Sequence, residues 1–313
     1  MNRHAALQLR EAYNANVFSV PELKAGEAGV CSVCGCGGVA YQIGDSGPRE
    51  GRGLNRRTLA WQSTAHAGGP HLGPADTRQE RGHAESGRRI ALEQAILSRN
   101  DRQARQNRMD FAQRGIRAIN LMSGPGAGKT SWLVRTLEAL PEAMPAAVIE
   151  GDQQTDLDAD RIRATGVPAV QINTGKGCHL DAAMVAAGSA RLGPASDSLL
   201  FIENVGNLVC PAAFDLGETA KVVLLSVTEG QDKPLKYPDI FAAADLLVIT
   251  KSDLLPHVEF DPQIAHGFAQ RVNPKLSMLL TSARSGEGIT EWLAWLAALP
   301  RGTSARMEEI PGG

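Results

Sequence analysis

Between residues 121 and 131 the chain reads Leu-Met-Ser-Gly-Pro-Gly-Ala-Gly-Lys-Thr-Ser. These are the residue types needed to hold a polyphosphate. Gly124, Gly126 and Gly128 let the backbone bend so that successive N–H groups around Ala127 point inward. Lys129 reaches the outer phosphates, the Thr130 hydroxyl is placed to hold Mg²⁺, and Ser131 follows in the same turn. A helix opening here adds roughly half a positive charge behind the phosphates. The pattern departs from its consensus at Ser123, where glycine is usual.

A second cluster of reactive side chains is Cys31-Ser-Val-Cys34-Gly-Cys36-Gly-Gly. Three thiolates this close, with glycines that let the backbone wrap, can close around one soft ion such as Zn²⁺, Cu⁺ or square-planar Ni²⁺. No second cysteine pair follows at the spacing of a structural zinc knuckle. The other cysteines are Cys178, next to His179, and Cys210. Five cysteines, an odd number, argue against a disulfide framework and for metal or redox chemistry in a reducing compartment.

Further candidates fall where apolar runs end. After Ile149 comes Glu150-Gly-Asp152-Gln-Gln-Thr155, in which Asp152 and Thr155 are placed to contact Mg²⁺ or its waters. After Ile202 comes Glu203-Asn-Val-Gly206, an acidic residue near Mg²⁺ and a glycine whose N–H can sense a γ-phosphate. After Ile249 comes Thr250-Lys251-Ser-Asp253, close to an Asn-Lys-x-Asp guanine reader. The Asp253 carboxylate can accept guanine N1–H and N2–H, while the Lys251 stem lies along the ring. Adenine lacks that donor pair, so the motif favours GTP over ATP. Thr281-Ser282-Ala283 matches the segment whose backbone supports guanine O6. Thr250 in place of asparagine is expected to loosen the link between base loop and phosphate loop.

These residues need strands to deliver them. Apolar runs at 116–122, 146–150, 169–173, 199–202, 221–227, 246–249 and 277–280 alternate with helical segments. Several are near-continuous in Val, Leu and Ile, as strands buried on both faces are. The expected fold is α/β, a doubly wound, mostly parallel sheet of about seven strands, with ligands beyond the strands' carboxyl ends. The last helix, Ile289 to Leu299, packs through Trp292, Leu293, Trp295 and Leu296. Helical periodicity starts near Arg88, with Ile96, Leu97, Met109 and Phe111 on one side. Arg99, Arg102, Arg105 and Arg108 form an adjacent stripe, read as a solvated face.

The organisation that follows is an N-terminal extension (1–30), the cysteine motif (31–38) and a flexible linker rich in Gly, Pro, Ser and Arg (39–87). A nucleotide-binding domain (88–300) and a tail (301–313) complete the chain. A hydrophobic content of 43% over 313 residues supports a substantial core. The net charge of −2 gives no global attraction to nucleic acid. No apolar run is long enough to span a bilayer, and the first thirty residues lack a signal peptide's apolar core. A cytoplasmic protein is expected.

Two longer stretches carry a resemblance. Glu203-Asn-Val-Gly-Asn-Leu-Val-Cys-Pro-Ala-Ala-Phe-Asp-Leu-Gly-Glu218 and Thr228-Glu-Gly-Gln-Asp-Lys-Pro-Leu-Lys-Tyr-Pro238 resemble the HypB family, hydrogenase maturation GTPases of the SIMIBI class. The resemblance covers roughly residues 88–300 and the cysteine cluster. It implies a dimerising, Mg²⁺-dependent P-loop GTPase that helps deliver nickel to the large subunit of [NiFe]-hydrogenase beside a HypA-type nickel chaperone. It also implies that Cys178, His179 and Cys210 bind Ni²⁺ or Zn²⁺ at the dimer interface. Cys31, Cys34 and Cys36 match a high-affinity nickel motif found in some members. In those members the motif follows the initiator Met, whose amine can be a ligand. Here it starts after Val30, so either the fourth ligand differs or residues 1–29 are absent from the mature protein. Because Cys178 and His179 are adjacent, one chain is not expected to present both with good tetrahedral geometry unless a neighbour contributes. Two other readings stay open: a related GTPase for urease or cobalamin enzymes, and a nickel store or scaffold with weak GTPase activity. The triple cysteine cluster and the Asn-Leu-Val-Cys-Pro run count against the first of these.

Overall fold

The computed structural model describes residues 42–44, 76–153 and 157–300. Cys31, Cys34, Cys36, Thr155 and the tail lie outside the described residues. In chain order the first elements are β1 (Gln42–Gly44), α1 (Asp76–Gln113), β2 (Arg117–Ser123), α2 (Lys129–Ala139), β3 (Ala146–Asp152), α3 (Leu157–Arg163), β4 (Ala169–Asn173) and α4 (Ala182–Leu192). They are followed by β5 (Leu199–Glu203), a 3₁₀ turn (Cys210–Ala213), β6 (Ala220–Ser226), α5 (Lys233–Lys236) and α6 (Pro238–Ala242). The chain ends in β7 (Leu246–Thr250), a second 3₁₀ turn (Ser252–His257), α7 (Pro262–Val272), β8 (Ser277–Leu280) and α8 (Ile289–Ala298).

The strands form one sheet in the order β1-β4-β3-β5-β2-β6-β7-β8. Pairs from β4 to β8 are parallel, and only β1 runs antiparallel, with Gln42 opposite Asn173 and Gly44 opposite Gln171. The seven expected strands are therefore present and parallel. The stretch expected to be linker differs at both ends, since it contributes the edge strand β1 and the first turns of α1, which begins at Asp76 rather than near Arg88. Composition missed the edge strand because a three-residue strand paired on one side needs no apolar run of its own.

Neighbouring residues of a strand point to opposite faces, and both faces are covered. On one, Ile119, Leu121, Val148, Phe201, Val222 and Val248 pack under Trp132, Leu133, Trp292 and Leu296 of α2 and α8. On the other, Ala118, Ile149, Leu200 and Ile202 lie under Phe111 of α1 and Val185 of α4, while Met122, Val223, Leu225 and Ile249 lie under Ile240, Phe241 and Ala265. Burial on both sides is why these strands lack polar alternation. Trp292 is core, as expected, and Trp295 is partly buried against the same cluster. Trp292 lies 4.6 Å from Trp132 between ring centres, and its indole N–H donates to Thr136 Oγ1 at 3.2 Å.

The buried face of α1 is less apolar than its sequence pattern suggests. Asn100, Ala104, Asn107 and Phe111 face inward, whereas Met109 is 46% exposed. Asn100 Nδ2 donates to Asp215 O and Asn107 Nδ2 to Ala182 O and Leu216 O, so two amides pin the helix to loops that have spare carbonyls. Within the arginine stripe Arg99, Arg102 and Arg105 are exposed, but Arg108 Nη2 donates to both carboxylate oxygens of Asp215 at 2.7 and 2.9 Å.

Candidate nucleotide and metal sites

The sheet order places β2 between β5 and β6, while the chain leaves β2 for β3, one strand further out. This reversal opens a crevice at the carboxyl ends of the strands, where ligands of doubly wound folds bind. Ser123–Ser131, Asp152, Glu203–Gly206, Thr250–Asp253 and Ser282–Ala283 all follow or close those ends. Sheet topology thus gathers residues that lie far apart in sequence.

The phosphate loop takes the shape expected of it. Gly126 and Gly128 have φ of 76° and 87°, the left-handed region open to glycine, and α2 starts at Lys129. A Cβ on Gly206 would lie 3.2 Å from Pro125 Cα and 3.6 Å from Lys129 Nζ, so the segment after Glu203 rests directly on the loop. Ser123 is buried, and its Oγ accepts from Lys129 Nζ at 2.9 Å, which gives the unusual serine a defined role in holding the lysine. Arg161 of α3 donates to Ser131 Oγ at 2.9 Å.

The base loop corrects one expectation. Thr250 Oγ1 donates to Ala127 O at 2.7 Å, and Lys251 Nζ donates to Gly126 O at 2.8 Å. Threonine therefore keeps the base loop tied to the phosphate loop, because a hydroxyl at this buried position reaches the carbonyl that an amide would. Lys251 adopts a left-handed backbone with φ 61°. Ser282 Oγ donates to Asp253 Oδ1 at 2.6 Å, orienting the carboxylate.

Beneath the phosphate loop lies a group of buried charges in which Glu150, to which motif reading gave no role, joins Glu203 and Lys129. Glu150 of β3 sits opposite Glu203 of β5 in the parallel register. Thr130 Oγ1 donates to Glu203 Oε1 at 2.7 Å, and Oε2 of both glutamates is buried without a hydrogen-bond partner. Burial pushes the Glu203 carboxyl up to about 7, against Lys129 and the Thr130 hydrogen bond. Burial, then the Glu203 and Asp152 charges, pushes Glu150 up to about 9. Burial lowers Lys129, while Glu203 and Glu150 favour its charged form. Unpartnered carboxylate oxygens beside a threonine hydroxyl are the hard donor set that Mg²⁺ takes, so the residues present fit that ion. The sequence signal for Glu150 was an ionisable residue inside an otherwise apolar strand.

A carboxyl raised this far stays protonated in the folded chain while the unfolded chain ionises near pH 4.5. Stability is then greatest below that value and is lost as pH rises toward 9, by about 1.4 kcal/mol per pH unit for Glu150 alone. Thermal unfolding without nucleotide or divalent metal is expected to show this decline between pH 6 and pH 8. Glu150→Gln should be more stable at pH 8 and flatten the slope. An unchanged slope in the variant would contradict the assignment.

The second site lies beside the first. Asp181 caps α4 by accepting from Met184 N at 2.7 Å, which fixes the preceding Cys178-His179-Leu180 segment. Cys210 starts the 3₁₀ turn that follows the Glu203–Gly206 segment. The ligand atoms of Cys178, His179 and Cys210 all lie within 4.8 Å of one another, with the two cysteine sulfurs 2.8 Å apart. One chain thus brings the three ligand atoms near one another. The third ligand arrives from a separate loop, and the His179 ring is held by stacking on Phe214 at 3.9 Å. Burial lowers the His179 pKa, with Asp181 opposing, which favours the neutral imidazole that a metal needs. Two sulfurs and an imidazole form a soft donor set suited to Ni²⁺ or Zn²⁺, with room in the coordination sphere for a further ligand.

A glycine-rich loop between a parallel strand and a helix, with an acidic strand end and an aspartate-bearing base loop, defines a P-loop protein that binds GTP. Residues 117–279 match the family model for the CobW/HypB/UreG nucleotide-binding domain. The chain is 53% identical over 287 residues to the hydrogenase maturation factor HypB of Azotobacter vinelandii, covering 88% of this chain and 94% of that one. It is 49% identical to HypB of Escherichia coli K12, over 85% and 98% of the two chains. The solved structure of Helicobacter pylori HypB in complex with nickel superposes with a TM-score of 0.60 at 37% identity, covering 64% of this chain and 94% of that one. The chain belongs to the HypB family of hydrogenase maturation factors.

Proposed function

We propose that this chain is a GTP-hydrolysing nickel metallochaperone that assists nickel insertion into the large subunit of [NiFe]-hydrogenase. The observation that carries the reading is the adjacency of the two sites. Cys210 lies seven residues beyond Glu203, on the same segment whose Gly206 rests against the phosphate loop. A segment drawn toward a γ-phosphate would move one thiolate relative to Cys178 and His179, so nickel affinity would follow the bound nucleotide.

In this reading the N–H groups of Gly124 and of residues 126 to 131, with the Lys129 ammonium, hold the phosphates of GTP. Lys251, Asp253, Ser282 and Ala283 read guanine. Thr130 and Asp152 would hold Mg²⁺, with Glu203 supporting the ion or the attacking water. When bound, Mg²⁺ neutralises charge that develops on the transferred phosphoryl group. Ser123 holds the lysine and Ser282 the base-reading carboxylate, so binding starts from a preformed geometry. Among the described residues no side chain is placed as a strong general base. Hydrolysis therefore depends on positioning and charge and is slow until a contact across a homodimer completes the site. A HypA-type chaperone is the expected nickel donor or acceptor, Zn²⁺ is a competing ion at the same soft ligands, and the cytoplasm is the expected compartment. The two relatives of greatest identity quoted above carry the hydrogenase name alone, which favours hydrogenase over urease as the client.

The test is Ni²⁺ titration of the Cys31→Ala, Cys34→Ala, Cys36→Ala chain bound to GDP or to a non-hydrolysable GTP analogue. A several-fold difference in affinity is expected, and equal affinities would overturn the switch.

A further inference from the structure

We propose that Asn204 is the positioning residue through which the nucleotide site sets the geometry of the Cys178–His179–Cys210 cluster. The proposal rests on the coupling put forward above and names the contact that carries it.

Asn204 immediately follows Glu203 and is 1% exposed. Its backbone N–H donates to Leu121 O at 3.0 Å, on the strand that leads into the phosphate loop. Its side-chain Oδ1 accepts two backbone donors at 3.0 Å, Val205 N on its own segment and Leu180 N next to His179. One carbonyl oxygen therefore joins the acidic strand end directly to the loop that supplies two of the three ligands. Its Nδ2 donates to Asn120 Oδ1 at 3.3 Å, and Asn120 Nδ2 donates to Glu218 Oε1 at 3.2 Å. These groups are all buried, so the amide has no water to exchange with when the segment shifts.

Apart from the Cys178–Cys210 thiol contact and the His179–Phe214 stack, which join the ligands and their immediate packing, the other links between the two segments are weaker or lie elsewhere. Asn207 Nδ2 reaches Cys178 O at 3.4 Å, a long contact at a half-buried position. The Leu180 side chain packs on Gly151, where a Cβ would come within 2.7 Å of it, but this fastens the metal loop to β3 and not to the segment bearing Gly206. A displacement of Glu203–Gly206 is therefore passed to Leu180 through Asn204, while Cys210 moves with the same segment. The two halves of the ligand set respond together.

A purely structural asparagine would behave differently on substitution. It would lower stability and weaken metal binding by the same factor with either nucleotide. The discriminating experiment uses the full-length chain with Cys31→Ala, Cys34→Ala and Cys36→Ala. Ni²⁺ alone is titrated in the GDP form and in the non-hydrolysable-analogue form, in that background and with Asn204→Ser or Asn120→Ser added. Serine at 204 cannot reach Leu180 N, whereas serine at 120 is an equal truncation that leaves the Leu180 and Val205 bonds intact. The ratio of the two Ni²⁺ affinities should fall to within twofold of unity in Asn204→Ser and be retained in Asn120→Ser. A ratio that survives Asn204→Ser, or that both substitutions abolish alike, would overturn the assignment. Equal affinities already in the parent chain would overturn the coupling itself, and the assignment with it.

Hydrogen exchange in the unsubstituted, metal-free chain provides a measurement that does not depend on the variants folding. Protection of the Leu180 amide should differ by threefold or more between the GDP and analogue forms. Equal protection would likewise overturn the proposal.

Discussion

Lys129→Ala should slow GTP hydrolysis by at least about 100-fold, close to 2.7 kcal/mol of lost transition-state stabilisation. The lysine delivers a positive charge to the outer phosphates from a fixed position. Ser123 Oγ holds its Nζ at 2.9 Å, and burial lowers its pKa while Glu203 and Glu150 oppose that shift. Phosphoryl transfer offers a protein little to do beyond placing groups and charge, so removing the best-placed cation costs most of the rate. Lys129→Arg should recover little, because the planar fork cannot occupy the space of an ammonium on the serine hydroxyl. Phosphate release at saturating Mg²⁺ is the measurement, with circular dichroism as the check on folding. A rate within tenfold of the parent would mean that the loop binds nucleotide without organising its hydrolysis. Hydrogenase maturation at normal nickel supply should fall with it, and a strain that matures its enzyme normally with Lys129→Ala would favour the storage reading instead.

The second large effect is expected at the soft ligands. Cys178→Ser and Cys210→Ser should each weaken Ni²⁺ binding at this site by about 100-fold or more, since a hydroxyl is neither readily ionised nor soft. The double substitution should cost little beyond either single one, because the three donors act as one set within 4.8 Å. Titration beside a Cys31→Ala, Cys34→Ala, Cys36→Ala chain tests independence. Each set of substitutions should remove one binding event and leave the other. Loss of both events from either set would show a single shared site. His179→Ala should have a smaller effect than either thiol substitution, and its packing on Phe214 makes a stability control necessary.

Much of the crevice was legible before any coordinates. The strands appear within one or two residues of the apolar runs, because a parallel strand covered on both faces must be apolar at nearly every position, and local composition records that directly. The phosphate loop and base loop were legible for a related reason. Each needs particular residue types at fixed spacing within a few positions of one another. Asp152 and Glu203 were found by looking at strand ends.

What escaped was long-range. Thr250 was expected to loosen the base loop, yet its hydroxyl meets Ala127 O, and that distance is set by the packing of β7 against its neighbours. The linker composition of residues 39–87 hid a strand whose pairing is supplied by β4. Asn100, Asn107 and Asn204 read as ordinary polar residues, and their burial depends on carbonyls and N–H groups brought up from distant loops.

The chain's own residues thus determine the class of fold and the nucleotide loop, since short-range spacing and side-chain chemistry suffice for each. Only the tertiary structure decides that Cys178, His179 and Cys210 meet within a single chain, that Glu150 faces Glu203, and that Asn204 joins the two sites. Those facts follow from the order of parallel strands, which sets segments far apart in sequence side by side at one edge of the sheet.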